Sequence, residues 1–196
     1  MGVAHPPDNN KIFIVSGWRA AGKTPFCQRM IDQAHTSGLT VSGILSPGRF
    51  ADNRKDGFFV RDLASGETRL LASLIPGELE GIRLGPWTFD RSVMDWGNQC
   101  LLESGKTDLL VVDEIGPLEF EKHLGWTASF EVLERRLYRA PLVVIRPECL
   151  DAFSVLGYPY QKIEITPEMN QGPAAGEILA AMTDPANWRN PNWRLQ

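Results

Sequence analysis

Ile12-Phe13-Ile14-Val15-Ser16-Gly17-Trp18-Arg19-Ala20-Ala21-Gly22-Lys23-Thr24-Pro25 is the stretch that decides the fold. A short apolar run rich in β-branched residues reads as a buried strand, and it leads straight into G-x-x-x-x-G-K-[ST] and then a helical pattern. The glycines let successive backbone N–H groups converge on phosphate oxygens, and the following helix turns its partially positive N-terminus toward the same point. Lys23 supplies a mobile cation for β- and γ-phosphates. Thr24 offers a hydroxyl to magnesium, an ion that prefers octahedral oxygen ligands and keeps several waters. Pro25 suits the first helical turn, where its missing N–H is not needed. The expected nucleotide-binding set is Gly17, Trp18, Arg19, Ala20, Ala21, Gly22, Lys23, Thr24 and Pro25, with a nucleoside triphosphate as ligand. Trp18 and Arg19 are unusual in such a loop, where contact with the nucleotide, a docking partner or solvent are all open readings.

Outward from this loop, short β-rich runs alternate with helical patterns, the arrangement of an α/β fold with a mostly parallel central sheet flanked by helices. Strands are expected near 11–16, 40–45, 108–113, 141–146 and 161–165. Helices are expected near 23–36, 90–104, 126–139 and 174–182, with Gly38 and Gly105 as left-handed stop signals. One segment breaks the alternation. Gly57-Phe58-Phe59-Val60-Arg61 and Thr68-Arg69-Leu70-Leu71 flank the turn-forming Ala64-Ser65-Gly66-Glu67, so residues 57–74 read as an antiparallel hairpin added to one side of the sheet.

The second chemical constellation is Asp108-Leu109-Leu110-Val111-Val112-Asp113-Glu114, an apolar strand ending in two adjacent carboxylates. Central parallel strands are apolar on both faces, and ligands of open α/β sheets sit beyond the strands' carboxyl ends. Asp113 is thus the expected magnesium partner beside Thr24, acting through a water or another ligand of the ion; a carboxylate that merely caps the next segment is the other reading. Glu114 is placed to polarise a water for in-line attack on the γ-phosphate. Transition-state charge calls for a further cation, and Arg146, ending Leu142-Val143-Val144-Ile145, emerges at the same sheet edge. Arg54 and Arg49 are the runners-up, against the ordinary reading of surface arginines. Catalysis is assigned to Glu114, Lys23 and Arg146, and the metal to Thr24 and Asp113. Asp113-Glu114-Ile115-Gly116 also fits the D-x-x-G string of regulatory GTPases, but Pro117 follows it and no N-K-x-D motif occurs anywhere. No L-S-G-G-Q string is present either.

The 196 residues, 43% hydrophobic and 22% charged, suit one domain over 11–183 that buries about 70–75% of its unfolded surface. Residues 1–10 read as a flexible N-terminal tail and 184–196, with its repeated Asn-Trp-Arg, as an irregular C-terminal one. The net charge of −4 argues against nucleic acid as the main partner. No apolar run approaches the roughly 18 residues of a membrane span, so no membrane partner and a cytoplasmic protein are expected. Cys27, Cys100 and Cys149 read as reduced packing residues, and the three histidines lack metal-ligand spacing. A protein partner is left unassigned.

Gly22-Lys23-Thr24, Gly43-Ile44-Leu45-Ser46, Arg54-Lys55-Asp56-Gly57-Phe58 and above all Val112-Asp113-Glu114-Ile115-Gly116-Pro117-Leu118-Glu119 carry a family resemblance. The chain resembles the THEP-type, cancer-related nucleoside-triphosphatases from Ile12 to about Leu179, including Thr166-Pro167-Glu168-Met169-Asn170, similar to the family's T-x-E-N segment. The resemblance implies a RecA-like P-loop domain that hydrolyses several nucleoside triphosphates slowly, with magnesium. It also implies phosphate and metal roles for Lys23 and Thr24 and the base role for Glu114. Glu119 matches a family carboxylate that orders the site; a solvated acid in the turn before Phe120 is the other reading. Where relatives carry E-x-x-R-x-G-G-x-R, this chain has Ser46-Pro47-Gly48-Arg49 and then Phe50-Ala51-Asp52-Asn53-Arg54, so the acid is missing and Arg49 is either displaced or a replacement for the family Arg. A small-molecule kinase and a nucleotide-gated binding module are the alternative readings. Phosphate release without an acceptor separates the first from hydrolysis, and nucleotide-dependent capture of a partner marks the second.

Overall fold

The computed structural model describes residues 11–166 and 174–183. The expected tails, and Pro167 to Asn170 of the T-x-E-N-like segment, lie outside the described residues. Ile12–Ser16 forms β1 and Lys23–Thr36 forms α1, followed by β2 (Val41–Leu45). An antiparallel region then comprises β3 (Gly48–Ala51), β4 (Arg54–Asp62), β5 (Thr68–Ser73), β6 (Ile82–Leu84) and β7 (Trp87–Phe89). The chain continues through α2 (Arg91–Glu103), β8 (Thr107–Ile115), α3 (Pro117–Glu121), α4 (Ala128–Arg135) and β9 (Tyr138–Ile145). It closes with α5 (Leu150–Ser154), β10 (Tyr160–Glu164) and α6 (Ala174–Thr183).

The strands form one sheet in the order β10-β1-β9-β8-β2-β4-β5-β7-β6, with β3 beside β4. From β10 to β2 every pairing is parallel, and from β2 outward every pairing is antiparallel. The fold is α/β of the P-loop type. Alternation along the central strands explains the layers: Val112 and Val143 face one core, with Leu101 of α2 and Leu133 of α4. Their neighbours Val111 and Val144 face the other, with Phe26, Met30 and Ile31 of α1 and Leu179 of α6. Helices thus cover both faces, which is why these strands read as unbroken apolar runs. β9 lies between β1 and β8, so the phosphate loop after β1 and the carboxylates ending β8 stand one strand apart.

β2 is pressed against β8 at Gly43, where φ is +100° and a Cβ would lie 2.0 Å from the Val111 carbonyl oxygen. Only glycine keeps that ladder in register.

Several boundaries differ from expectation. The antiparallel part is larger than the hairpin 57–74: β3, β6 and β7 are three or four residues each, too short for a visible alternation. The helix expected over 126–139 spans only 128–135 and ends at Arg136 in the left-handed region, where Tyr138 begins β9. Pro141 lies inside that strand, paired to Leu110 of β8 but before β1 begins its ladder at Leu142, so no partner needs its missing N–H on that side. Gly38 takes the left-handed stop that was expected, whereas Gly105 does not, and α2 ends at Glu103 with Ser104 as its cap, one residue before that glycine.

Candidate active site

A cavity of about 320 Å³ opens at the carboxyl ends of β8 and β9. Thr24, Asp113, Glu114 and Arg146 line it together, with Ser46, Lys55, Glu119 and Lys122. The parallel strands deliver three of these directly: Asp113 and Glu114 from the end of β8, and Arg146 from the residue after β9.

Asp113 is 1% exposed. Its Oδ2 accepts from the Ser46 backbone N–H at 3.2 Å, and the Ser46 hydroxyl donates to the Asp113 carbonyl oxygen. Its Oδ1 is buried and has no hydrogen-bond partner in the protein. Burial, and then the like charge of Glu114, push the Asp113 carboxyl up to about 7, against the stabilising pull of Ser46, Thr24 and Lys23. Such a carboxylate is costly unless a cation joins it.

Glu114 is half-buried and accepts from the Arg146 guanidinium, so the expected cation stands on the expected base. Lys23 is buried but folded back, its ammonium donating to the carbonyls of Gly17 (2.8 Å) and Trp18 (3.1 Å). Of the loop, only Thr24 forms part of the cavity wall; Gly17, Trp18, Arg19, Ala20, Ala21, Gly22 and Pro25 lie outside it. Trp18 is 78% exposed, and Arg19 and Pro25 are exposed as well.

The runner-up arginines are placed elsewhere. Arg49 is tied to Asp56 at 2.9 Å and to both oxygens of Glu78 at 2.8 and 2.7 Å, pairings that hold the Glu78 carboxyl down at about 2. Arg54 is exposed.

Glu119 is no solvated acid. It is 4% exposed, and its two oxygens accept from the N–H groups of Gly116 (2.7 Å) and Trp126 (2.8 Å), tying the end of β8 to the loop before α4. Burial pushes its carboxyl up to about 7, opposed by those two backbone donors. Gly125, with φ +70°, leaves room for this link, since a Cβ there would lie 2.0 Å from Glu119 Oε1. Asn98 of α2 clamps the same loop, donating to Gly125 O at 2.7 Å and accepting from Ala128 N at 2.9 Å.

Sequence reasoning did not assign Ser46, Lys55 or Lys122 to the site, nor its apolar wall of Phe58, Leu71, Leu84, Phe89, Met94 and Trp126. Ser46, Lys55 and Phe58 lie in strings that carry the family resemblance, but nothing in those strings assigns them to the site; the wall converges from the loop after β2, the antiparallel strands, α2 and the loops around α3. Among the described residues no cluster of three or more His, Cys, Asp or Glu could hold a metal, and no helix is long and apolar enough to cross a membrane.

The NTPase family model matches residues 12–145. The nucleoside-triphosphatase THEP1 of Methanothermobacter thermautotrophicus is 34% identical over 113 residues, 55% of this chain and 62% of that protein. The THEP1 of Pyrococcus abyssi is 29% identical over 176 residues, 85% of this chain and 89% of that protein. Two solved structures share the fold with TM-scores of 0.64: a human cancer-related nucleoside triphosphatase (19% identity, 88% of this chain and 95% of that one) and THEP1 from Aquifex aeolicus (18%, 88% and 98%).

Proposed function

The chain belongs to the NTPase family and is a nucleoside triphosphatase, and from that premise we propose a magnesium-dependent hydrolysis, slow and of broad base preference, in which Glu114 is the general base. The observation that carries this reading is the convergence of Thr24, Asp113, Glu114 and Arg146 on one cavity, with a buried carboxylate oxygen of Asp113 left without a partner. Asp113 and the Thr24 hydroxyl fit a magnesium ion that takes its other ligands from water and phosphate. When bound, that ion neutralises charge on the β- and γ-phosphate oxygens.

The roles of this chain's own residues follow from their positions. The α1 N-terminus and the loop N–H groups hold the phosphate chain, and Lys23 leaves the Gly17 and Trp18 carbonyls to meet it. Glu114 takes the proton of a water lined up with the γ-phosphate. Glu119 keeps the segment after Glu114 in position through Gly116. Arg146 releases Glu114 to meet the developing charge on the γ-phosphate. The Glu114–Arg146 contact has to open for both groups to act, which fits the slow turnover proposed. The absence of N-K-x-D supports broad base preference.

Phosphate release from each of the four common triphosphates, with magnesium and with chelator, tests the reading. The expected result is release in the absence of any acceptor, lost on chelation, with rates among the four within about 100-fold, equivalent to about 2.7 kcal/mol. Release that requires an added acceptor would indicate a kinase instead.

A further inference from the structure

We propose that the apolar arm of the cavity binds a second, non-nucleotide ligand: a small organic anion whose aromatic or branched body lies among Phe58, Leu71, Leu84, Phe89, Met94 and Trp126 and whose charge is met by Lys55. The inference rests on reading Thr24, Asp113 and Glu114 as the phosphate end of the same cavity. Because Thr24 alone represents the phosphate loop in the wall, a triphosphate reaches this space only with its terminal group.

Hydrolysis requires a water and a base, and water is held by two to four polar partners. Six apolar side chains offer it none. They come from β4, β5, β6, β7, α2 and the loop before α4, so they are supplied mainly by the antiparallel region, which lies on the far side of β2 from the phosphate loop. Phe58 packs on Trp87 with centroids 4.6 Å apart, which braces that wall from behind.

Lys55 decides the charge of the ligand. Although exposed as a residue, it carries its ammonium 3.7 Å from the centroid of the Phe58 ring, and among the described residues no carboxylate is bonded to it. Arg49 on the neighbouring strand is spoken for by Asp56 and Glu78, Glu114 and Glu119 have their own donors, and Asp113 and Glu114 act on Lys55 through their charge without a hydrogen bond to it. A cation resting on an aromatic face at the edge of an apolar recess recognises an anion with an apolar body, and Lys122 lines the same cavity. A cavity of about 320 Å³, shared with a terminal phosphate, admits a metabolite-sized molecule and excludes a peptide.

Anilinonaphthalene sulfonate, an aromatic anion that fluoresces in apolar surroundings, is a direct probe. With the protein saturated by ADP, the expected result is one bound probe per chain, at least tenfold weaker in Lys55→Gln and in Leu84→Asp and near wild type in Lys55→Arg. Circular dichroism shows that each variant is folded. Displacement of the probe by ADP, or unchanged binding in both folded variants, would overturn the proposal. A parallel titration with a fluorescent ADP keeps the two readings apart. Probe failure with intact ADP binding removes only the second site, and absence of ADP binding removes the hydrolase reading and the proposal with it.

Discussion

Arg146 and Glu114 are in contact, and the proposed chemistry turns on this pair. An arginine that meets transition-state charge in P-loop enzymes is worth about 10³–10⁵ in rate. Arg146→Ala is therefore expected to lower the hydrolysis rate by at least about 10²-fold while nucleotide affinity stays within about threefold, as read by single-turnover kinetics beside equilibrium titration. Glu119 makes a different prediction. Its carboxyl is raised to about 7 in the fold from an unfolded value near 4.3, so the folded protein binds the extra proton between those limits. Its contribution to stability is full below about pH 4 and is lost as pH rises through 7. Asp113 has the same sign. Denaturation between pH 4.5 and 7.5 should show stability falling with pH, and Glu119→Gln should flatten that slope by at most about 1.4 kcal/mol per pH unit. A slope unchanged in the variant would contradict the assignment. At this scale the sequence made Thr24, Asp113, Glu114 and Arg146 legible, because each stands at the end of a recognisable strand or in a motif. Ser46 was hidden, since its two hydrogen bonds to Asp113 connect residues 67 positions apart.

Among the elements, the parallel half was readable because its strands are buried on both faces and their apolar runs are unbroken. The antiparallel half was readable only where a strand is long enough to alternate, as in β4 and β5. The overextended helix has a physical cause too: Leu133, Leu137 and Tyr138 keep a helical spacing, yet Arg136 turns left-handed and the chain enters the sheet. Register within the sheet hangs on small residues. Gly43→Ala sets a Cβ against the Val111 carbonyl and forces a left-handed φ on alanine, so β2 must move off β8. Strained backbone of this kind costs about 1–3 kcal/mol. The clash adds to it, and chemical denaturation should show a loss of at least about 2 kcal/mol with the helical signal retained at low denaturant. A variant as stable as the parent would mean that the β2–β8 ladder is looser than described.

For the molecule as a whole, the sheet order brings a phosphate loop and two carboxylates together at the carboxyl ends of the parallel strands, and beyond β2 the sheet continues with antiparallel strands. The loop alone implied only bound phosphate; the fold sets it one strand away from Asp113 and Glu114, with Arg146 in the same cavity as Thr24. The apolar wall could not be read from sequence, because its residues come from six different elements and loops and resemble ordinary core. The central claim is that Glu114 removes the proton from the attacking water. General-base catalysis is worth about 10²–10⁴-fold. The most direct measurement is phosphate release by Glu114→Gln with magnesium and ATP or GTP, with nucleotide affinity measured on the same protein. Affinity within a few-fold of the parent and hydrolysis reduced by at least about 10²-fold is the predicted result, and hydrolysis at the parental rate would contradict it.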